Sequence, residues 1–385
     1  MTTKARLNVF PLILLAVSLL ASAAPSRARA ADAAADAPAK KSLAWHAVTP
    51  ANIEGQGWTD VKSPFDRLPA RAEGVVRPPV WNLSHNSAGL YVDFSTNAPR
   101  IAVRWTLNSQ TLALPHMPAT GVSGVDLYVR QDGVWHFLAN GQAKEFPDNE
   151  AEFTATEASA KGNVSYRLYL PLYNGVKSVE IGVPEGSYFG FSIDLAGDPM
   201  VVVYGTSITQ GGCAARPGMA YPSILGRRLD AEFINLGFSG NGQTEPELAT
   251  LLAELKPAVF VIDSLPNLTP EMLAERMPKF IEIIRASHPQ TPILLVQNPL
   301  YPTIPFVAAT REKVTKANDI LAQIHADRVA AGDQQITLVP ACDLAADGGE
   351  TTVDGVHPTD VGFIRLADAL EPYLKKVLAA QSAGN

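Results

Sequence analysis

Two cysteines in 385 residues, Cys213 and Cys342, are too few for a disulfide framework, although an oxidising compartment would permit one bridge if the fold brings them together. Neither stands in a C-x-x-C pair or beside a histidine cluster, so no zinc or other metal site is indicated. Charge of one sign is also scarce. The 31 Lys and Arg against 38 Asp and Glu give a formal net charge of -7 without long runs, which leaves no electrostatic footprint for nucleic acid and no basic stripe for a membrane. Beyond the first thirty residues no apolar stretch is long enough to span a bilayer, and tryptophan is absent after Trp135.

What is present begins with an export pattern. Lys4 and Arg6 form a basic start, Val9 to Leu20 is a short apolar run, and small residues follow, so residues 1–30 read as a cleavable signal peptide. Cleavage fits after Ala23 or after Ala30, and the second is favoured because Ala, Asp, Pro and Lys dominate a pattern-free linker, 31–42. The mature protein is then expected outside the cytoplasm, periplasmic or extracellular, with no stable membrane insertion.

From 43 to 198 short alternating segments such as Gly89 to Ser95, Arg100 to Trp105 and Val176 to Gly182 are broken by Gly, Pro, Asn and Asp. They predict an antiparallel β-sandwich. All five tryptophans fall here, read mainly as core, with one or two as a flat platform on which a sugar could stack.

Near Pro199 the texture changes to apolar strands alternating with amphipathic stretches, which predicts a three-layer α/β domain with a parallel sheet over 199–385. The strands are expected at Met200 to Tyr204, Glu232 to Leu236, Ala258 to Asp263, Ile293 to Gln297 and Ile336 to Val339. In an open parallel sheet, ligands meet the loops at the strands' carboxyl ends.

The chemistry-bearing residues fall in those loops. The first strand ends in Tyr204-Gly-Thr-Ser-Ile-Thr-Gln-Gly-Gly212, a Gly-flanked turn that exposes the Ser207 hydroxyl and aims its backbone N–H at the same place. The last loop, Thr352-Val-Asp-Gly-Val-His-Pro358, sets Asp354 three residues before His357, so one ring nitrogen can be held while the other takes a proton. Gly240, in Asn235-Leu-Gly-Phe-Ser-Gly-Asn-Gly242, and Asn267, in Asp263-Ser-Leu-Pro-Asn-Leu-Thr269, can supply further hydrogen-bond donors to an oxyanion. The remaining histidines, His46, His85, His116, His136, His288 and His325, are the weaker candidates.

These four blocks occur in the chain order of the SGNH (GDSL-type) hydrolases, which the chain resembles from Met200 onward. The likeness is nearest to a subgroup whose upstream β-domain carries Gly-x-Asp-Leu-Tyr, here Gly124-Val-Asp-Leu-Tyr128, and whose serine block continues like Arg216-Pro-Gly-Met-Ala-Tyr221. The resemblance implies Ser207 as nucleophile, His357 as base, Asp354 as its orienter, and an oxyanion hole of the Ser207 and Gly240 amides with Asn267. Thr206 stands where many members have Asp, and Asp263-Ser-Leu-Pro-Asn267 replaces the usual Gly-x-Asn-Asp block, which leaves Asp263 as a structural cap or a substrate contact.

The expected reaction is hydrolysis of an acyl ester by Ser attack, without a cofactor. With export and an attached β-domain, the resemblance implies a short acyl, such as acetyl, ester on a carbohydrate, by analogy with the acetyl esterases found within this superfamily. The rival expectations are a lipase, arylesterase or thioesterase acting on small or lipid-like esters, and a carbohydrate-binding or envelope protein that does not turn over.

Overall fold

Apolar residues at every second position build the first half of the chain. The computed structural model describes residues 41–192 and 199–382. The expected signal at 1–30, residues 31–40 of the expected linker and the expected boundary near 198 lie outside the described residues. The first half holds β1 (Leu43–Ala47), β2 (Tyr91–Thr96), β3 (Arg100–Leu107), β4 (Val125–Gln131), β5 (Val134–Gly141), β6 (Asp148–Thr154), β7 (Val164–Tyr169), β8 (Val176–Pro184) and β9 (Phe189–Phe191). Two short helices, α1 (Pro78–Ser84) and α2 (Ala119–Val122), interrupt them.

The strands form two antiparallel sheets, ordered β1-β8-β3-β6 and β5-β4-β7-β2-β9, whose inner faces share one core. Ile101, Val103, Trp105 and Leu107 of β3 point inward and meet Val92 and Phe94 of β2 and Leu127 and Val129 of β4. The intervening Arg100 and Arg104 point outward and pair with Glu152 and Glu150 on the neighbouring strand β6. This is the expected sandwich.

The second half is a parallel sheet ordered β11-β10-β12-β13-β14, made of β10 (Met200–Gly205), β11 (Glu232–Gly237), β12 (Val259–Asp263), β13 (Ile293–Val296) and β14 (Ile336–Val339). The helices are α3 (Ser207–Gln210), α4 (Tyr221–Leu229), α5 (Pro246–Leu252), α6 (Pro270–Ser287), α7 (Ala308–Ala330) and α8 (Asp360–Ser382). Both faces of the sheet are covered, so its strands are apolar at consecutive positions. Val201 and Val203 face α4 and α8, whereas Val202 and Tyr204 face α5 and α6. In α6 the buried residues Leu273, Met277, Phe280, Ile281 and Ile284 keep helical spacing, and the Thr269 side chain caps the Met272 N–H at its start. After β10 the chain crosses to β11 on one side, then returns to β12 on the other. The carboxyl ends of β10 and β12 therefore flank the crevice where such a sheet receives its ligand.

The described residues from Ser42 onward form one compact unit, and packing crosses the change in texture near 199. Trp58 and Trp81, read as core of the β-rich half, lie instead with Leu68 and Val80 in the core under α5 and α6. Trp105 alone of the tryptophans fills the sandwich interior. The tryptophans are otherwise engaged: Trp135 is buried beneath the Arg167 guanidinium, and the Arg104 guanidinium stacks on half-buried Trp45, 3.8 Å from its ring centre. Arg67, fully enclosed, donates to the carbonyls of Leu83, Asn86, Asn235 and Gly237. The last two belong to β11, the outermost strand of the parallel sheet, so Arg67 satisfies edge carbonyls that no further strand reaches.

The outer face of β4 carries the second join. Asp126 is fully buried and accepts from Arg216 Nη1 (2.8 Å), the Gly218 N–H (2.9 Å) and Asn140 Nδ2 (2.8 Å), while the Arg227 guanidinium sits 4.0 Å from the centre of the adjacent Tyr128 ring. Burial pushes the Asp126 carboxyl above its usual range, and Arg216 with these hydrogen bonds pulls it back. Removing one member of such a pair strands the other charge. Asp126→Ala is expected to cost about 3–5 kcal/mol, measured as a lower urea midpoint at unchanged m-value, and an unaltered midpoint would exclude this role.

Candidate active site

Ser207 opens the four-residue helix α3 directly after β10. Thr206, the residue that stands in place of the family Asp, acts as the N-cap and accepts from the Ile208 N–H at 3.2 Å. The turn is tight enough to demand glycine before it: a Cβ on Gly205 would lie 2.0 Å from Thr209 Oγ1 and 2.6 Å from the Asp263 carbonyl oxygen. Ser207 is thus held at the strand's carboxyl end, 8% exposed.

His357 and Asp354 arrive from the loop before α8. Asp354 Oδ1 accepts from the backbone N–H groups of Val356 (3.0 Å) and His357 (2.8 Å), folding the segment into a turn around the carboxylate. Its Oδ2 lies 2.7 Å from His357 Nδ1, and His357 Nε2 lies 2.8 Å from Ser207 Oγ. A carboxylate can only accept, so Nδ1 carries the proton and Nε2 is left to accept from the serine hydroxyl. Partial burial works to raise the Asp354 carboxyl, but the hydrogen bonds from His357 and Val356 outweigh it and hold the group below its usual range. It stays an anion beside the imidazole. Such a chain of contacts can make a hydroxyl nucleophilic through an oriented base.

The turn after β11 and the loop after β12 meet each other. Gly240 sits at φ +68°, a left-handed conformation suited to glycine. Of the two orientations of the Asn267 amide, one lets Oδ1 accept from the N–H groups of Asn241 (3.1 Å) and Gly242 (3.2 Å). That orientation outweighs a single 3.4 Å contact to the Phe238 carbonyl, and it leaves Nδ2 available as a donor. Asn267 is therefore tied to the Gly240 turn. Asp263 is not a helix cap: its buried Oδ2 accepts from Thr209 Oγ1 (3.1 Å) and Tyr221 Oη (2.8 Å), linking β12 to α3 and α4 beneath the serine.

The first half of the chain also reaches this place, which the sequence reading did not foresee. His116, set aside there, has its ring centroid 6.0 Å from that of His357, and Tyr173 Oη lies 3.3 Å from the Ser207 carbonyl oxygen. Neither sits in a chemical motif. The only signal was the Pro115-His116-Met117-Pro118 string, a rigid turn.

Both cysteines are free thiols, so the bridge the sequence left open is not made. Cys213, beside the serine turn, is pushed up to about 12 by burial and by the Asp354 charge, which leaves it an unreactive thiol. Among the described residues no three His, Cys, Asp or Glu side chains gather as a metal site would need, and no helix is long and apolar enough to cross a membrane.

Residues 198–375 match the GDSL-like lipase/acylhydrolase family, and residues 43–189 match GxDLY, the N-terminus of SGNH-hydrolase-type esterases. A GDSL-like lipase of Bacteroides ovatus ATCC 8483 is 32% identical over 88% of this chain and 98% of its own, with a TM-score of 0.82. The chain belongs to the GDSL-like lipase/acylhydrolase family. It is an ester hydrolase of the SGNH type with a GxDLY N-terminal region. The fold is shared by the salicylyl-acyltransferase SsfX3 from a tetracycline biosynthetic pathway, 20% identical over 88% of this chain and 98% of that one, at a TM-score of 0.70. A family two carbohydrate esterase from Clostridium thermocellum, solved with cellohexaose, shares it at 16% identity over 76% and 93% of the two chains and a TM-score of 0.53. No curated protein matches the chain.

The buried carboxyl beneath the serine gives this esterase a pH signature. Burial raises Asp263 to about 6, against roughly 3.9 in an unfolded chain. Between those values the folded state keeps a proton that the unfolded state has lost, so Asp263 lowers stability as pH rises from about 4 to about 6, and no further above that. Asp263→Asn keeps an acceptor for both hydroxyls and removes the titration. Its stability relative to wild type should climb by about 2 kcal/mol across that window, read by urea unfolding at a series of pH values. Parallel curves would mean that Asp263 titrates normally.

Proposed function

We propose that the protein is an exported serine esterase that hydrolyses a short acyl ester, most readily an acetyl group, on a carbohydrate. The reading rests on one observation, the continuous contact from Ser207 Oγ through the His357 ring to Asp354. In this mechanism Ser207 Oγ attacks the ester carbonyl while His357 Nε2 takes its proton. The tetrahedral oxyanion is met by the Ser207 and Gly240 backbone N–H groups and Asn267 Nδ2. His357 then gives the proton to the departing alkoxide, and Asp354 stabilises the imidazolium without itself taking a proton. Water, deprotonated by His357, releases the acid from the acyl-enzyme and restores the serine.

Export is supported by the basic, apolar and small-residue succession in residues 1–30, and a fold shared with a cellohexaose-bound esterase fits a carbohydrate substrate. The corresponding division is a signal at 1–30, a linker at 31–42, a sandwich domain at 43–198 and a catalytic domain at 199–385. One observation favours a second reading, an ester with an apolar acyl or aryl part. Leu300, Val307, Val353 and Val356 are exposed on the loop after β13 and the His357 loop, and Phe306 is 87% exposed there.

Hydrolysis of nitrophenyl esters from acetyl to octanoyl, followed by acetylated oligosaccharides, separates the two. The first reading expects the fastest turnover on acetyl esters and acetate release from the glycans; a rate that rises with chain length instead supports the second. On either, Ser207→Ala should lower kcat by about 10⁵–10⁶-fold and Asn267→Ala by about 10²–10³-fold. A Ser207→Ala enzyme as active as wild type would overturn the assignment.

A further inference from the structure

The proton that His357 takes from Ser207 is handed to the leaving oxygen, so the alcohol portion of the ester has to depart alongside the His357 ring. The acyl oxygen points the other way, toward Gly240 and Asn267. Whatever protein group lies beside the His357 ring therefore meets the alcohol. That group comes from the sandwich half: His116, whose ring is tilted 43° to that of His357 at 6.0 Å between centroids.

His116 is exposed and makes no hydrogen bond to the described residues, yet its backbone is held firmly. Leu114 and Met117 exchange backbone hydrogen bonds of 2.9 and 3.0 Å around it, and Pro115 and Pro118 restrict the chain on either side. Met117 is buried in the core that also contains Ile208 of the serine helix and Ala214, and Leu114 packs against that core. An imidazole with unspent donor and acceptor capacity is thus held beside the His357 ring by a turn whose backbone is restricted on both sides.

We propose that His116 forms a polar subsite for the alcohol portion of the substrate, exchanging a hydrogen bond with a hydroxyl neighbouring the esterified one. The class of ligand is a polyol or sugar ester, so the proposal rests on the carbohydrate reading of the Ser207 site. It gives the sandwich half a direct part in choosing the substrate.

The test compares wild type, His116→Ala and His116→Gln on three acetates: a monoacetylated methyl glycoside, its deoxy analogue lacking the neighbouring hydroxyl, and phenyl acetate. For His116→Ala the ratio of kcat/KM on the glycoside to that on phenyl acetate should fall about tenfold, the worth of one neutral hydrogen bond. The Gln variant, which keeps a donor and an acceptor, should recover part of it. Wild type should lose a similar factor on the deoxy sugar, where His116→Ala has no further effect. A uniform loss across all three esters, or none, overturns the subsite while leaving the carbohydrate reading intact. Wild type that cleaves phenyl acetate and neither sugar ester overturns the carbohydrate reading and the subsite with it.

Discussion

The carboxylate of Asp126 is the contact on which the arrangement of the two halves depends. A charge with no solvent access has to be neutralised within the protein, and here the neutralising groups come from the other half of the chain: Arg216 and the Gly218 N–H. Those residues follow the serine helix. Between them and Cys213, the Ala215 carbonyl accepts from Thr120 of the sandwich half and the Ala215 N–H donates to Asp360 at the start of α8, three residues beyond His357. One short segment is thus tied to the sandwich, to the serine turn and to the helix that follows the histidine. A shift of the sandwich would be felt by both ends of the Ser207–His357 contact.

The Gly-x-Asp-Leu-Tyr string takes its physical sense from the same place. In β4 the period of two puts Val125, Leu127 and Val129 into the sandwich core, while Asp126 and Tyr128 project from the opposite face. An outer face of a sheet is ordinarily wet. This one is covered by the turn at Arg216 and by α4, so its polar residues are buried and have to be matched: Asp126 by Arg216, Tyr128 by stacked guanidinium groups, and Arg167 by a two-pronged contact with Asp93. The strand therefore reads as alternating in sequence but is enclosed on both sides.

Arg67 does for the sheet edge what Asp126 does for the interface. Two of its four carbonyl partners lie in the last three residues of β11, shortly before the turn that holds Gly240, so the segment wrapped around the parallel sheet also steadies that turn. The α/β half is consequently not a self-sufficient layer with an appendage. Residues from before Tyr91 complete its core, and His116 from the sandwich half reaches the His357 ring.

Periodicity and strand-end chemistry were legible because they are local. The five parallel strands stand within a residue of where apolar patterning placed them, and Ser207, Asp354 and His357 could be singled out since each lies in a short Gly-containing turn whose geometry is set by its neighbours in sequence. Only the tertiary structure decided which distant segments share a space. It moved Trp58 and Trp81 from the sandwich to the core under α5 and α6, stacked Arg104 on Trp45, left Cys213 and Cys342 as thiols, and brought His116 to the ring of His357. The reason is the range of the forces involved: turn and strand preferences act over a few residues, whereas the burial of Asp126, Arg67 and the tryptophans depends on surfaces that meet only when the chain has folded.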